Sequence, residues 1–425
     1  MKRIYLTLFL LFFSTSAFAF DVCEHEKKYS NIWYSNNCDD NLLQSTGQKS
    51  KIVKNTPWKG YPYNSSEIPE NARPDYKILK YYLKKYINDG KNNEGFKIKV
   101  KRTDNYKKLN FKLTGDDYVK KQLNKTALLS YLMYENGNII IDEITPKERF
   151  GKTFKNETLY VSHSVGKSLV SYVTGHAICK GYISGINHKL NDWPVLENTL
   201  YYDQPIINLL NMASGDQKYV DSMSGLKNSK RWINNVSMKS VMKKELKDSI
   251  RGDLKYNYSN LDTNIVASYL VYKMGNKEFK KLVNEILVDK AGIEHNVKAF
   301  RKNGKSISYN YYASRYDYLR ISIAMLDDWN NNTCEGQYLK SLYENRIDKW
   351  SQEPGFEKNI METTNSYNGQ FYSDINGIDR PIFIMNGFGG QSHVIDFEKN
   401  RVISMLAVHR DYDVKLTHLK KLKQQ

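Results

Sequence analysis

Long apolar stretches are scarce in this chain of 425 residues. Beyond the first 19 residues no run approaches the ~18–20 apolar residues that a membrane-spanning helix needs, so no integral membrane segment is expected after the leader. Cysteine is equally sparse, with four residues at Cys23, Cys38, Cys179 and Cys334. They form no C-x-x-C pair and no Cys/His cluster with zinc-ligand spacing, so neither a structural zinc nor any other metal or cofactor is expected. The G-x-S-x-G elbow of the classical serine hydrolases is missing. No internal period of 20 to 50 residues is present, which excludes a solenoid.

What is present begins with a leader. Lys2 and Arg3 make a basic start, residues 4–13 are apolar apart from Thr7, and Ala17-Phe18-Ala19 supplies a small-x-small cleavage pattern. Residues 1–19 therefore read as a signal peptide cut after Ala19, and a periplasmic or secreted protein is expected. Cys23 lacks the preceding small and aliphatic residues of a lipoprotein site. In an oxidising compartment Cys23 and Cys38, close together in one short segment, are the preferred disulfide pair, and Cys179 reads as a buried helix cysteine. The remaining length is ample for a large core, and 33 Tyr with 16 Phe exclude disorder over most of it.

The formal charge is +18. Such a charge suits nucleic acid, anionic lipid or cell-wall polymer. The lysines, however, are spread along the whole chain beside Asn and Tyr, as a general composition bias produces. No nucleic-acid partner is expected, and an anionic cell-envelope surface is the partner that the charge leaves open.

Residues 20–110 form a polar N-terminal extension without an assignable task, with Pro57, Pro62, Pro69 and Pro74 close together. Within it, residues 78–89 look helical and 95–100 strand-like. From residue 111 the chain reads as one domain. Runs 127–134 and 138–144 are β-rich and joined by Glu135-Asn136-Gly137, a hairpin signal because Asn-Gly tolerates the positive φ of tight turns. An amphipathic helix follows over 164–180, with Val165, Leu169, Val173 and Ala177 at four-residue spacing and Gly181 at its end. Residues 185–361 read as a mainly helical subdomain, clearest at 206–212, 261–274 and 318–325. Strands return at 381–385, 391–396 and 401–409, followed by a closing helix at 414–422. Strands early and late around a helical middle predict an α+β fold whose sheet is built from both ends of the domain.

Three segments carry candidate chemistry. Ser164-Val165-Gly166-Lys167 is an S-x-x-K pattern, in which positions i and i+3 share a helix face and an amine reaches a hydroxyl. The same pattern at 224–227 and 240–243 lies in polar, lysine-rich surroundings, whereas Ser164 stands where a polar link meets an apolar helix. Its alternative role is an ordinary N-cap. Tyr258-Ser259-Asn260 precedes an apolar helix and places a phenol that an amine can push toward phenolate. Met385-Asn386-Gly387-Phe388-Gly389-Gly390-Gln391 ends a strand with glycines, so a free N–H there can serve an oxyanion; a plain hairpin turn is the alternative.

Together and in order these segments resemble the serine β-lactamase and penicillin-binding superfamily, in particular its class C-like branch with esterases and 6-aminohexanoate-dimer hydrolases. Residues Val161 to Ser168 are similar to the S-x-S-V-x-K-S nucleophile segment, Leu209 to Gly215 to L-L-x-M-x-S-G, and Tyr258 to Asn260 to Y-x-N. Residues Gly387 to Asp396 are similar to the stretch after the third motif, and the likeness covers roughly 123–408. The resemblance implies an antiparallel sheet of about five strands flanked by helices, with the helical subdomain inserted. It implies Ser164 as nucleophile, Lys167 as the base that assists it, and Tyr258 as the proton relay to the leaving group. Gly387 and Phe388 would form the oxyanion loop, with the N–H groups of Ser164 and Phe388 as donors, and Asn260 would orient Lys167 or the substrate.

One departure matters. Where β-lactamases and peptidases of the superfamily carry K-T-G or H-x-G, this chain has Met385-Asn386-Gly387, and the competing register Phe388-Gly389-Gly390 also lacks Lys or His. Hydrolysis of a small ester or linear amide is therefore expected ahead of β-lactamase or peptidoglycan DD-peptidase activity. A non-catalytic cell-wall-binding protein on the same fold is the reading from another class. Oligomeric state and substrate identity are not encoded in these motifs.

Overall fold

In the computed structural model the described residues are 79–80, 82–84, 86–87, 95–98, 105–216, 238–301, 310–349 and 364–408. The leader, Cys23, Cys38 and the closing helix expected at 414–422 lie outside them. Among the described residues no helix is long and apolar enough to cross a membrane.

In chain order the strands are β1 (Gly95–Ile98), β2 (Asn110–Phe111), β3 (Leu128–Glu135), β4 (Asn138–Ile144), β5 (Tyr160–Val161), β6 (Val297–Arg301) and β7 (Tyr311–Ala313). They continue as β8 (Ile347–Asp348), β9 (Thr364–Asn368), β10 (Phe371–Ile375), β11 (Ile382–Gly387), β12 (Gln391–Asp396) and β13 (Arg401–Ala407). The β3–β4 hairpin turns as its sequence dictates, with Asn136 at φ 46° and Gly137 at φ 88°. From it grows a nine-stranded sheet in the order β2-β4-β3-β13-β12-β11-β10-β9-β8. The antiparallel β3–β13 pairing joins the early strands to the late ones, so the sheet is indeed built from both ends.

The expectation of about five strands is corrected to nine. Two of the additions, β9 and β10, read T-N-S-Y-N and F-Y-S-D-I, and their polar residues conceal strands that are buried on nearly every position. The parallel pairing of β2 with β4 extends the far edge. The mainly helical stretch at 185–361 likewise contains β6, β7 and β8. β6 and β7 join β1 and β5 in a second, four-stranded sheet ordered β1-β6-β7-β5. β1 thus ties the end of the N-terminal segment to a strand 200 residues later in the chain.

The helix expected at 164–180 is Val165–Cys179, with Gly181 in the left-handed region just beyond it. It is not amphipathic: every residue from Val165 to Ala177 is buried. A helix enclosed on all sides is a central core element. Ser171 meets the Tyr338 hydroxyl at 2.9 Å on one side, and Ser168 Oγ donates to the Gln370 carbonyl at 2.6 Å on another. Its C-terminal end is cross-linked. Cys179 is bonded to Cys334, at the start of the Cys334–Glu344 helix, with a Cα–Cα distance of 5.9 Å. Reading Cys179 as a simple buried cysteine is therefore corrected; a partner 155 residues away leaves no local mark in the sequence.

Candidate active site

β5 runs directly into the first candidate. Ser162 is held on both sides: its N–H donates to the Tyr311 carbonyl at 2.8 Å, and its Oγ accepts from the Tyr311 N–H at 3.0 Å. The same Oγ donates to the His163 carbonyl at 3.0 Å. His163 then takes φ 46°, a left-handed conformation that costs a residue with a β-carbon about 1–3 kcal/mol unless its surroundings enforce it. Ser164 returns to helical geometry at φ −67° and ψ −12°, and its side chain makes no capping bond. The N-cap role is thus not what the hydroxyl performs. Instead the Lys167 Nζ, one helical turn on, donates to Ser164 Oγ at 2.9 Å.

Lys167 is only 1% exposed. An amine so enclosed is held to few geometries, and its Nζ lies 4.7 Å from the ring centroid of Tyr258. Tyr258, far along the chain from Ser164 and Lys167, is therefore brought to that pair.

The loop bearing Tyr258 is carried by the Leu209–Gly215 segment. After the Ile206–Leu210 helix, Met212 adopts φ 54° and its carbonyl accepts from the Asn257 N–H at 2.6 Å. Its sulfur accepts from the Ser259 N–H at 3.3 Å. Ser259 Oγ caps the Asn260–Asn284 helix by accepting from Leu261 and Asp262, and Ser214 Oγ donates to Asp262 Oδ1 at 3.1 Å. Burial, followed by the charge of Asp216, holds the Asp262 carboxyl well above the usual carboxylate range. Asn260 is the first residue of that helix and is buried next to the tyrosine loop.

The third segment meets the first at Gly387. In β11 this glycine pairs with Gln391 of β12, and a β-carbon on it would lie 2.6 Å from the Ser162 carbonyl oxygen and 3.2 Å from Val165 Cγ2. Only a glycine lets the strand end approach the serine turn this closely. Residues 388–390 form the turn itself, with Gly389 at φ 83° and Gly390 at φ 87°. Met385, Asn386 and Gly387 lie at the end of β11, and Met385 is buried. Phe388, just past the strand, stands with its ring 5.8 Å from that of His163. Burial, followed by the Lys167 charge, lowers the His163 imidazole to about 3, so it stays neutral at ordinary pH.

Gln370 was not among the sequence candidates. Its Oε1 accepts from Thr263 Oγ1 at 2.9 Å, and its Nε2 donates to the Leu209 and Leu210 carbonyls at 3.1 and 3.0 Å. With its own carbonyl on Ser168, this residue bonds the Val165–Cys179, Asn260–Asn284 and Ile206–Leu210 helices to one β-turn. The Asn368-Gly369 dipeptide before it is the turn signal that would have pointed there. Two open surface concavities, of about 400 and 580 Å³, are lined around Asp374 and Lys152, and none of the candidate residues borders either.

No protein-family model matches this chain, and no curated protein does. Solved structures do. A protein from Bacillus anthracis assigned as a 6-aminohexanoate-dimer hydrolase superposes with a TM-score of 0.61 at 15% identity, covering 81% of this chain and 96% of its own. A protein from Bacteroides dorei assigned as a β-lactamase gives 0.55 at 14% identity, covering 72% and 96%. The octameric penicillin-binding protein homologue from Pyrococcus abyssi gives 0.52 at 12% identity, covering 72% and 75%. At such identities the likeness is one of fold.

Proposed function

We infer that this chain, which has the fold of the serine β-lactamase and penicillin-binding superfamily, is a serine hydrolase acting on an ester or linear amide. The observation that carries the reading is the 2.9 Å contact from a buried lysine amine, Lys167, to Ser164 Oγ. Ser164 attacks the substrate carbonyl while Lys167 accepts the hydroxyl proton, and Tyr258 passes a proton to the leaving alcohol or amine. The developing oxyanion is held by the N–H groups of Ser164 and Phe388, on the serine turn and on the loop that Gly387 brings against it. Water then cleaves the acyl-enzyme and restores the serine. Asn260 orients Lys167 or the substrate at the entrance.

The preference for esters and linear amides over β-lactams is supported by Met385, an apolar residue where a Lys or His would hold the ligand carboxylate. Export to the periplasm or beyond is supported by the leader at 1–19 and by the Cys179–Cys334 bond, since such cross-links persist in oxidising compartments. The test is a turnover screen over short acyl esters, linear amides and nitrocefin, run beside Ser164→Ala. Serine-dependent turnover of an ester or amide supports the reading. Rapid nitrocefin turnover or stable penicillin acylation would transfer it to the β-lactam enzymes, and envelope binding without any turnover to a non-catalytic role.

A further inference from the structure

The helical residues 79–80, 82–84 and 86–87 lie outside the stretch that resembles the superfamily, yet they reach its candidate site. Tyr86 is 1% exposed, and its ring meets the edge of His163 at 5.0 Å with an interplanar angle of 83°. It also meets Tyr160 of β5 at 6.0 Å and Tyr82, one turn earlier in its own segment, at 5.9 Å. His163 in turn faces Phe388 at 5.8 Å and 73°. Three rings therefore stand in series, from the N-terminal segment to the proposed oxyanion loop, and the middle one adjoins Ser164 in sequence.

Edge-to-face pairs at these separations are attractive and directional. The middle ring needs such support. His163 sits at φ 46°, and the turn it forms sets where Ser164 Oγ and the Ser164 N–H point. On the far side, the Phe388–Gly390 turn contains two glycines at positive φ, whose backbone has no β-carbon to restrain it. Ring packing across Phe388 supplies restraint that this turn lacks.

The geometry points to Tyr86 as a positioning residue for the hydrolase site: its ring, packed on His163 and through it on Phe388, holds the serine turn and the oxyanion loop at their working separation. This rests on the serine-hydrolase reading. It gives part of the N-terminal segment a task in catalysis without any contact to the reacting atoms. The hydroxyl of Tyr86 is not needed for the role; the ring is.

The test compares the full chain with Tyr86→Phe and Tyr86→Leu, reading the rate of Ser164 modification by a fluorophosphonate and the carbon-bound proton resonances of the His163 imidazole. Tyr86→Phe is expected to stay within about twofold of the parent rate, because edge packing needs only the ring. Tyr86→Leu is expected to slow acylation by about tenfold or more, since misplacement near 1 Å costs up to ~10². It should also move the His163 resonances while the two proteins unfold at similar temperatures. If Tyr86→Leu does not fold, Tyr86→Met, which fills the space without a ring, is read in its place. A Leu or Met variant acylated at the parent rate, or one that leaves the His163 resonances unmoved, overturns the proposal. A parent chain that is never modified overturns the hydrolase reading instead, and the resonances still decide whether Tyr86 sets the His163 turn.

Discussion

The α-carbon of Gly387 faces the carbonyl oxygen of Ser162 so closely that a β-carbon there would stand 2.6 Å from it. A backbone oxygen cannot swing away as a side-chain tip can. Gly387→Ala must therefore displace either the end of β11 or the turn that presents Ser164. The expected result is a fall of about 10² in the acylation rate, with a stability loss of about 1–3 kcal/mol from overpacking. Acylation kinetics and a denaturation curve check this, and a variant acylated like its parent would mean that the two segments do not cooperate.

Tyr258 is the next test, because its ring packs against the Lys167 amine while its hydroxyl is assigned the proton relay. Tyr258→Phe keeps the ring, whose centroid lies 4.7 Å from Nζ, and removes only the hydroxyl. The variant should fold normally and lose about 10²–10⁴ in kcat. A kcat within a few-fold of the parent would assign the relay elsewhere.

How much of this was legible in the sequence divides by range of interaction. The β3–β4 hairpin could be read because Asn136 and Gly137 by themselves select the turn, and both take positive φ. Ser164 and Lys167 could be paired because i and i+3 on a helix meet whatever surrounds them. Cys334 could not be matched to Cys179, nor Gln370 to Ser168 and Thr263, because those partners meet only after the sheet and the helices have assembled. β9 and β10 escaped for a related reason. Thr364, Ser366, Asn368 and Ser373 are buried beside Tyr367 and Phe371, so polar and apolar residues share the interior and no period-two pattern marks the strands.

The Cys179–Cys334 bond closes a loop with a sequence separation of 155. Replacing both cysteines by alanine should lower unfolding free energy by roughly 2–5 kcal/mol, chiefly through a freer unfolded chain. Equilibrium denaturation without reductant measures it. The proposed nucleophile Ser164 lies at the other terminus of the Val165–Cys179 helix, so acylation below the melting range should change little.

The same helix end carries a pH dependence. The Glu335 carboxyl is lowered from 4.5 to about 2, chiefly by its hydrogen bond with His176, against the opposing effect of burial. Because the folded value is depressed, its stabilisation is complete above about pH 4.5 and is lost as pH falls toward about 2. Glu335→Gln should therefore reduce stability at pH 6 and flatten its decline over that acid window. An unchanged slope of melting temperature against pH would show that the pair contributes nothing there.

Ser164 is the proposed nucleophile. Incubation of the folded protein with a fluorophosphonate, followed by peptide mass spectrometry, tests it most directly. A single stoichiometric adduct on Ser164 is expected, absent in Ser164→Ala and strongly slowed in Lys167→Met. An adduct on another residue, or labelling that survives Ser164→Ala undiminished, would contradict it.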